Sequence, residues 1–98
     1  MFDSPHEVIW HDDVITFFRE FHPDGRQFIH IKVDKWSKEK YYHILDVWFN
    51  LLDAYGTFYA PIANEKIGRF CNMLGFEYLD EYVMYDDDIL RRVMICPG

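Results

Sequence analysis

Hydrophobic and polar positions change their period along the chain, and the changes divide it into eight elements. Residues 7–11 are a short apolar-rich run that stops at the turn signal Asp12-Asp13. Residues 14–21 are rich in β-branched and aromatic side chains, which suit a pleated, half-buried surface. His22-Pro23-Asp24-Gly25 supplies the residues of a tight turn. Residues 27–33 then alternate, placing Ile29, Ile31 and Val33 on one face of a strand. After Trp36 the period becomes helical. Ser37 is placed to cap the first turn, and Tyr41, Ile44, Leu45, Trp48, Leu51, Leu52 and Tyr55 follow at three- and four-residue spacing up to Gly56. Residues 57–62 read as a strand in which Pro61 marks a sheet edge or a break. Asn64 caps a second helix carrying Ile67, Phe70, Cys71 and Leu74 on one side, and Gly75 closes it. Residues 76–85 and 89–96 form a hairpin across the acidic turn Asp86-Asp87-Asp88.

The predicted order is β-β-β-α-β-α-β-β, an α/β (α+β) domain with a mixed sheet. The unit spanning residues 27–62 demands a parallel crossover, expected to be right-handed. At 98 residues the chain fits one domain, residues 1–98. Hydrophobic residues make up 50% and aromatics 19%, which is ample for a core and leaves a surplus that points to a protein partner, possibly a second copy. A formal charge of −7 and a single adjacent basic pair, Arg91-Arg92, disfavour direct nucleic-acid binding. Cys71 and Cys96 form no disulfide framework, no basic n-region precedes an apolar run, and no stretch is long enough to span a bilayer. A cytoplasmic location with no membrane contact is expected.

Candidate chemistry is sparse. His6, His11, His22, His30 and His43 show no recognised ligand spacing and are read as turn and surface residues, so no metal site is expected. Cys71 on an apolar helix face and Cys96 at a strand end are read as small buried hydrophobes. Asp80, Glu81, Asp86, Asp87 and Asp88 are read as a solvated hairpin, with a partner-facing acidic patch as the alternative. Phe17 and Phe18 are adjacent and must point to opposite sides of their strand, so one of them needs cover from elsewhere. Together with Tyr42 and Phe49, which lie off the helix stripe, and Asp86, Asp87 and Asp88, they are the candidate partner-binding residues.

The run Asn64-Glu65-Lys66-Ile67-Gly68-Arg69-Phe70-Cys71-Asn72-Met73-Leu74-Gly75-Phe76 resembles the segment of GNAT acyltransferases in which an Asn-capped helix ends in Leu-Gly-Phe and opens the next strand. The element order resembles that family's core over residues 26–96. Trp36, the Asn-capped helix and Tyr78-Leu79-Asp80-Glu81-Tyr82 are similar to features of short acetyltransferase-like proteins of tailed bacteriophages. The resemblance implies a truncated GNAT-like sheet lacking the usual N-terminal acceptor-side elements. It also implies where acetyl-CoA would sit, and there the chain departs from the family. The family's glycine-bearing diphosphate turn is here Asp34-Lys35-Trp36-Ser37-Lys38-Glu39-Lys40, without glycine. The position of the family's tyrosine general acid is Cys71. The resulting expectation is a non-catalytic, phage-encoded GNAT-like protein that acts by binding protein, as a virion component or an inhibitor of a host system, and that holds no cofactor. A minimal acetyl-CoA-dependent N-acetyltransferase is the alternative, holding the coenzyme through Lys35, Trp36, Ser37, Lys38, Lys40 and Asn64 and using Cys71 as acid. An acidic mimic of nucleic acid is the third reading.

Overall fold

The structure is a computed structural model that describes residues 6–85 and 87–98. Its elements are β1 (Glu7–His11), β2 (Ile15–Phe21), β3 (Gln27–Val33), α1 (Lys38–Tyr55), β4 (Phe58–Ile62), α2 (Glu65–Met73), β5 (Glu77–Met84) and β6 (Leu90–Cys96). The order is the one the hydrophobic pattern predicts. The strands form one mixed six-stranded sheet in the order β1-β2-β3-β4-β6-β5, with β3 and β4 parallel and the other neighbours antiparallel.

Local chemistry sets the element ends. The Ser37 side chain accepts from the Lys40 amide, and Asn64 Oδ1 accepts from the Ile67 amide at 3.0 Å. Gly56 and Gly75 close the helices at φ +83 and +101, where a side chain would be strained. In the β2–β3 turn, His22 N–H donates to the Arg26 carbonyl and Gly25 N–H donates to His22, fixing the register of the hairpin.

That register sorts the side chains into two faces. Ile15, Phe17, Ile29, Phe58, Ala60, Ile62, Met94 and Cys96 point to one face, where they pack with Ile44, Val47, Trp48 and Leu51 of α1 and Cys71 of α2. Trp48 is the centre of this core, with the rings of Phe17, Phe58 and Phe76 at 5.6, 5.3 and 5.2 Å and its indole N–H donating to the Leu74 carbonyl at 3.1 Å. Phe17 is therefore core, and its candidacy as a partner-binding residue is withdrawn.

The opposite face carries Phe18, Glu20, Phe28, His30, Tyr59, Pro61, Val93 and Ile95, and both described helices lie on the other side. Phe28 and Val93 are nevertheless buried on this face. The His22 ring stacks on Phe28 at 3.6 Å, and the Arg26 guanidinium lies over the Phe28 and Tyr59 rings, tied by ion pairs to Asp24 and Glu81.

Pro61 does not mark a sheet edge, because β4 lies between β3 and β6. Ladder pairing between β3 and β4 is confined to Phe28 and Tyr59. One side of β4 is thus locally unpaired at Pro61, where the missing N–H costs least.

Candidate functional site

Ladder pairing between the two parallel strands β3 and β4 is limited to one residue pair, and a cleft lies beside them. The cleft encloses about 1180 Å³. It is lined from the helix side by Trp36, Asn64, Ile67 and Phe70, and from the open face by Glu20, His30, Tyr85 and Arg91.

On the helix side the residues proposed for coenzyme binding meet only in part. Two amides of the bend before α1 are already engaged, since Asp34 and Lys35 both donate to the Val14 carbonyl, at 2.8 and 3.2 Å. Trp36 packs edge-on against Phe70 at 5.5 Å and against Tyr41 at 6.2 Å, so its indole bridges the bend and α2. Lys35 is drawn to Asp13, at 3.5 Å, and Lys38 is exposed. Ser37 and Asn64 are occupied as helix caps. Cys71 is 1% exposed, and burial, aided by the nearby Cys96, pushes its thiol up to about 12. A thiol so buried stays protonated at neutral pH and is poorly reactive.

On the open face a carboxylate gathers three histidines and a tyrosine. Glu20 lies in β2 and is 2% exposed. Period-two geometry sends Phe18, Glu20 and the following His22 to the same side, and the hairpin register brings His30 of β3 diagonally across from Glu20. Tyr85 arrives from the end of β5, and His6 from just before β1. Glu20 Oε1 accepts from His30 Nε2 at 2.8 Å, Tyr85 Oη at 2.9 Å and His22 Nε2 at 3.1 Å. Its Oε2 faces His6 Nε2 at 3.4 Å, and the His6 and His30 rings stack at 4.2 Å.

The electrostatics follow from burial and these contacts. Burial opposes ionisation of Glu20, but hydrogen bonds from His30, Tyr85 and His22 outweigh it and hold the carboxyl below its ordinary value. Burial also holds His22 and His30 below the usual imidazole range, and burial followed by the Glu20 contact pushes the Tyr85 phenol up. The resting state is a carboxylate served by neutral donors, with each donating imidazole carrying its proton on Nε2.

The expectation of turn and surface histidines therefore fails for His22, which is 5% exposed, and for His30, which is half-buried. His11 and His43 do lie outside this cluster, bonded to Thr16 and Asp12. Glu20 itself carried no motif. The available signal was the alternation of residues 16–22 once the His22-Pro23-Asp24-Gly25 turn fixes the hairpin register.

The candidate partner-binding residues do not form one surface. Tyr42 and Phe49 are exposed on the outer side of α1, whereas Phe18 is half-buried on the open face beside His6. Asp87 lines the cleft and is paired with Arg91, whose Nη1 donates to Oδ1 at 3.0 Å. Asp88 is exposed with φ +59, and Asp86 lies outside the described residues. No described helix is long and apolar enough to cross a membrane. No protein-family model, curated protein or solved structure matches the chain.

Proposed function

We propose that this chain is a non-catalytic, GNAT-like protein that works by binding another protein through the open face of its sheet. The observation that carries the reading is the engagement of the Asp34 and Lys35 amides by Val14, in a bend without glycine. A diphosphate cradle needs convergent backbone N–H groups and close approach. Here part of that donor set is spent on the chain's own β2 entry, and the acidic Asp34 stands beside it. The buried thiol of Cys71 is equally unsuited to passing a proton to a leaving thiolate.

The partner surface is the sheet face opposite the helices. It presents half-buried Phe18, Tyr59, Pro61 and Ile95 around the cleft, with acidic Asp87 at the rim. An apolar centre edged by polar groups has the make-up of a protein interface. The resemblance to phage acetyltransferase-like proteins is the reason for seeking the partner among virion or host proteins. Acidic mimicry of nucleic acid is the weaker form of this reading, because Arg91 partly neutralises the hairpin tip.

Thermal denaturation with acetyl-CoA and CoA tests it. A ligand at a hundred times its dissociation constant adds about 2.7 kcal/mol, which raises the midpoint of a domain this size by roughly 10 °C or more. No shift is expected at millimolar coenzyme, and a saturable rise overturns the reading.

One observation favours acyl transfer as a second reading. The cleft is lined by residues of both sheet faces, so a thioester on the helix side and an amine on the open face would meet near Glu20 and His30. On that reading the coenzyme shift appears, and Glu20→Gln abolishes turnover while leaving the shift in place.

A further inference from the structure

We propose that His6, Glu20 and His30 bind a divalent first-row transition-metal ion of the zinc class at the open-face end of the cleft. This stands independently of what the cleft or the sheet face binds.

The geometry comes first. One ligand atom from each residue falls within 4.8 Å of the others. His30 Nε2 lies 2.8 Å from Glu20 Oε1, and His6 Nε2 lies 3.4 Å from Glu20 Oε2. Ligand atoms around a tetrahedral zinc with bonds of about 2.0–2.1 Å are separated by about 3.3 Å. The two separations, one to each carboxylate oxygen, lie on either side of that edge, and all three ligand atoms fall within 4.8 Å of one another, so modest side-chain rotation suffices to bring the carboxylate and both imidazoles onto a common ion.

Charge gives the second reason. Glu20 is 2% exposed, and the basic side chains that reach its carboxylate among the described residues are all histidines, so no Lys or Arg supplies a fixed positive charge. A buried carboxylate is stabilised by a cation, and a metal in place of the proton shared by Glu20 and His30 provides one.

The surroundings provide the third. A ligating carboxylate needs orienting hydrogen bonds, and His22 and Tyr85 already donate to Glu20 Oε1, at 3.1 and 2.9 Å. Two imidazoles with one carboxylate favour zinc and its neighbours over magnesium or calcium, which prefer oxygen-rich shells. Three protein ligands leave a coordination position open, and all three line the cleft, so the open position faces its interior.

The test is calorimetric titration of the full chain, stripped with chelator, with Zn²⁺ and separately with Mg²⁺. Zinc is expected to bind at one ion per chain and magnesium not to bind. His6→Ala and His30→Ala should each weaken zinc at least tenfold, about the loss seen even for outer-shell changes. His43→Ala, at the Asp12 contact outside the cluster, should leave it unchanged. Cobalt should give visible absorption bands that vanish in His6→Ala. His6 is exposed and outside the core, so its variant decides the matter even where His30→Ala fails to fold by circular dichroism. No heat with zinc, His6→Ala binding as tightly as the parent, or an equal loss in His43→Ala would each overturn the assignment.

Discussion

Replacing Glu20 with alanine should destabilise the fold by about 3 kcal/mol, a large part of the roughly 5–15 kcal/mol that holds a domain together. The substitution deprives His22, His30 and Tyr85 of their common acceptor. A buried polar group denied its bond costs about 1–3 kcal/mol. The His22 side chain is 2% exposed and bears the largest share of that cost through loss of its carboxylate bond, while its 3.2 Å contact with Tyr85 Oη remains. The His30 side chain is 23% exposed and Tyr85 is half-buried, so water compensates both and about 0.5–1 kcal/mol each is appropriate. Glu20→Gln preserves the size and one carbonyl acceptor, and should cost about 1 kcal/mol. Urea denaturation in chelator-treated buffer reads the difference directly. With a slope of about 1.5 kcal/mol/M, the alanine midpoint should fall by about 2 M and the glutamine midpoint by less than half of that. An alanine variant within about 0.5 kcal/mol of the parent, or two variants of equal stability, would show that the carboxylate does not organise the open face.

Other outcomes follow from the same contacts. Trp48→Ala should cost about 3–5 kcal/mol by calorimetry, because it empties the ring cluster of Phe17, Phe58 and Phe76 and removes the bond to Leu74; a loss below about 1 kcal/mol would contradict that packing. Asp12 accepts from the Val14 and Ile15 amides, Trp10 and His43, and despite the opposing effect of burial these bonds hold its carboxyl well below the usual range. Its contribution is therefore present above the unfolded value of about 3.9 and is lost as pH falls below it. Asp12→Ala should cost about 1–2 kcal/mol at pH 7 and progressively less in acid, whereas a pH-independent cost would refute the linkage. Cys71 should resist alkylation in the native state and react on unfolding, as mass spectrometry of iodoacetamide-treated protein would show.

Much of the fold was legible because long periodic runs and punctuating residues agreed. Ser37 and Gly56 bracket α1, Asn64 and Gly75 bracket α2, and the β2–β3 turn announces itself by Pro23 and Gly25. For Pro61 the sheet-edge alternative failed, because the sequence does not reveal that β4 sits between β3 and β6, while a break near the strand end agrees with β4 stopping at Ile62. Val47 is buried on α1 although the stripe of larger side chains had passed over it. The Glu20 cluster was hidden for a different reason. Its members lie up to 65 residues from Glu20 in the chain, follow no ligand spacing, and come together only through strand register and the return of β5 to the sheet. Phe17 and Phe18 show the opposite case: alternation fixed that they diverge, while only packing against Trp48 settled which one is core.

Nuclear magnetic resonance titration of the ¹⁵N-labelled chain with acetyl-CoA is the most direct check on the binding-protein assignment. With the Asp34 and Lys35 amides bonded to Val14, the signals of residues 34–40 should stay in place at millimolar coenzyme. Saturable shifts concentrated on those amides and on α2 would instead establish a coenzyme site and make the chain a transferase.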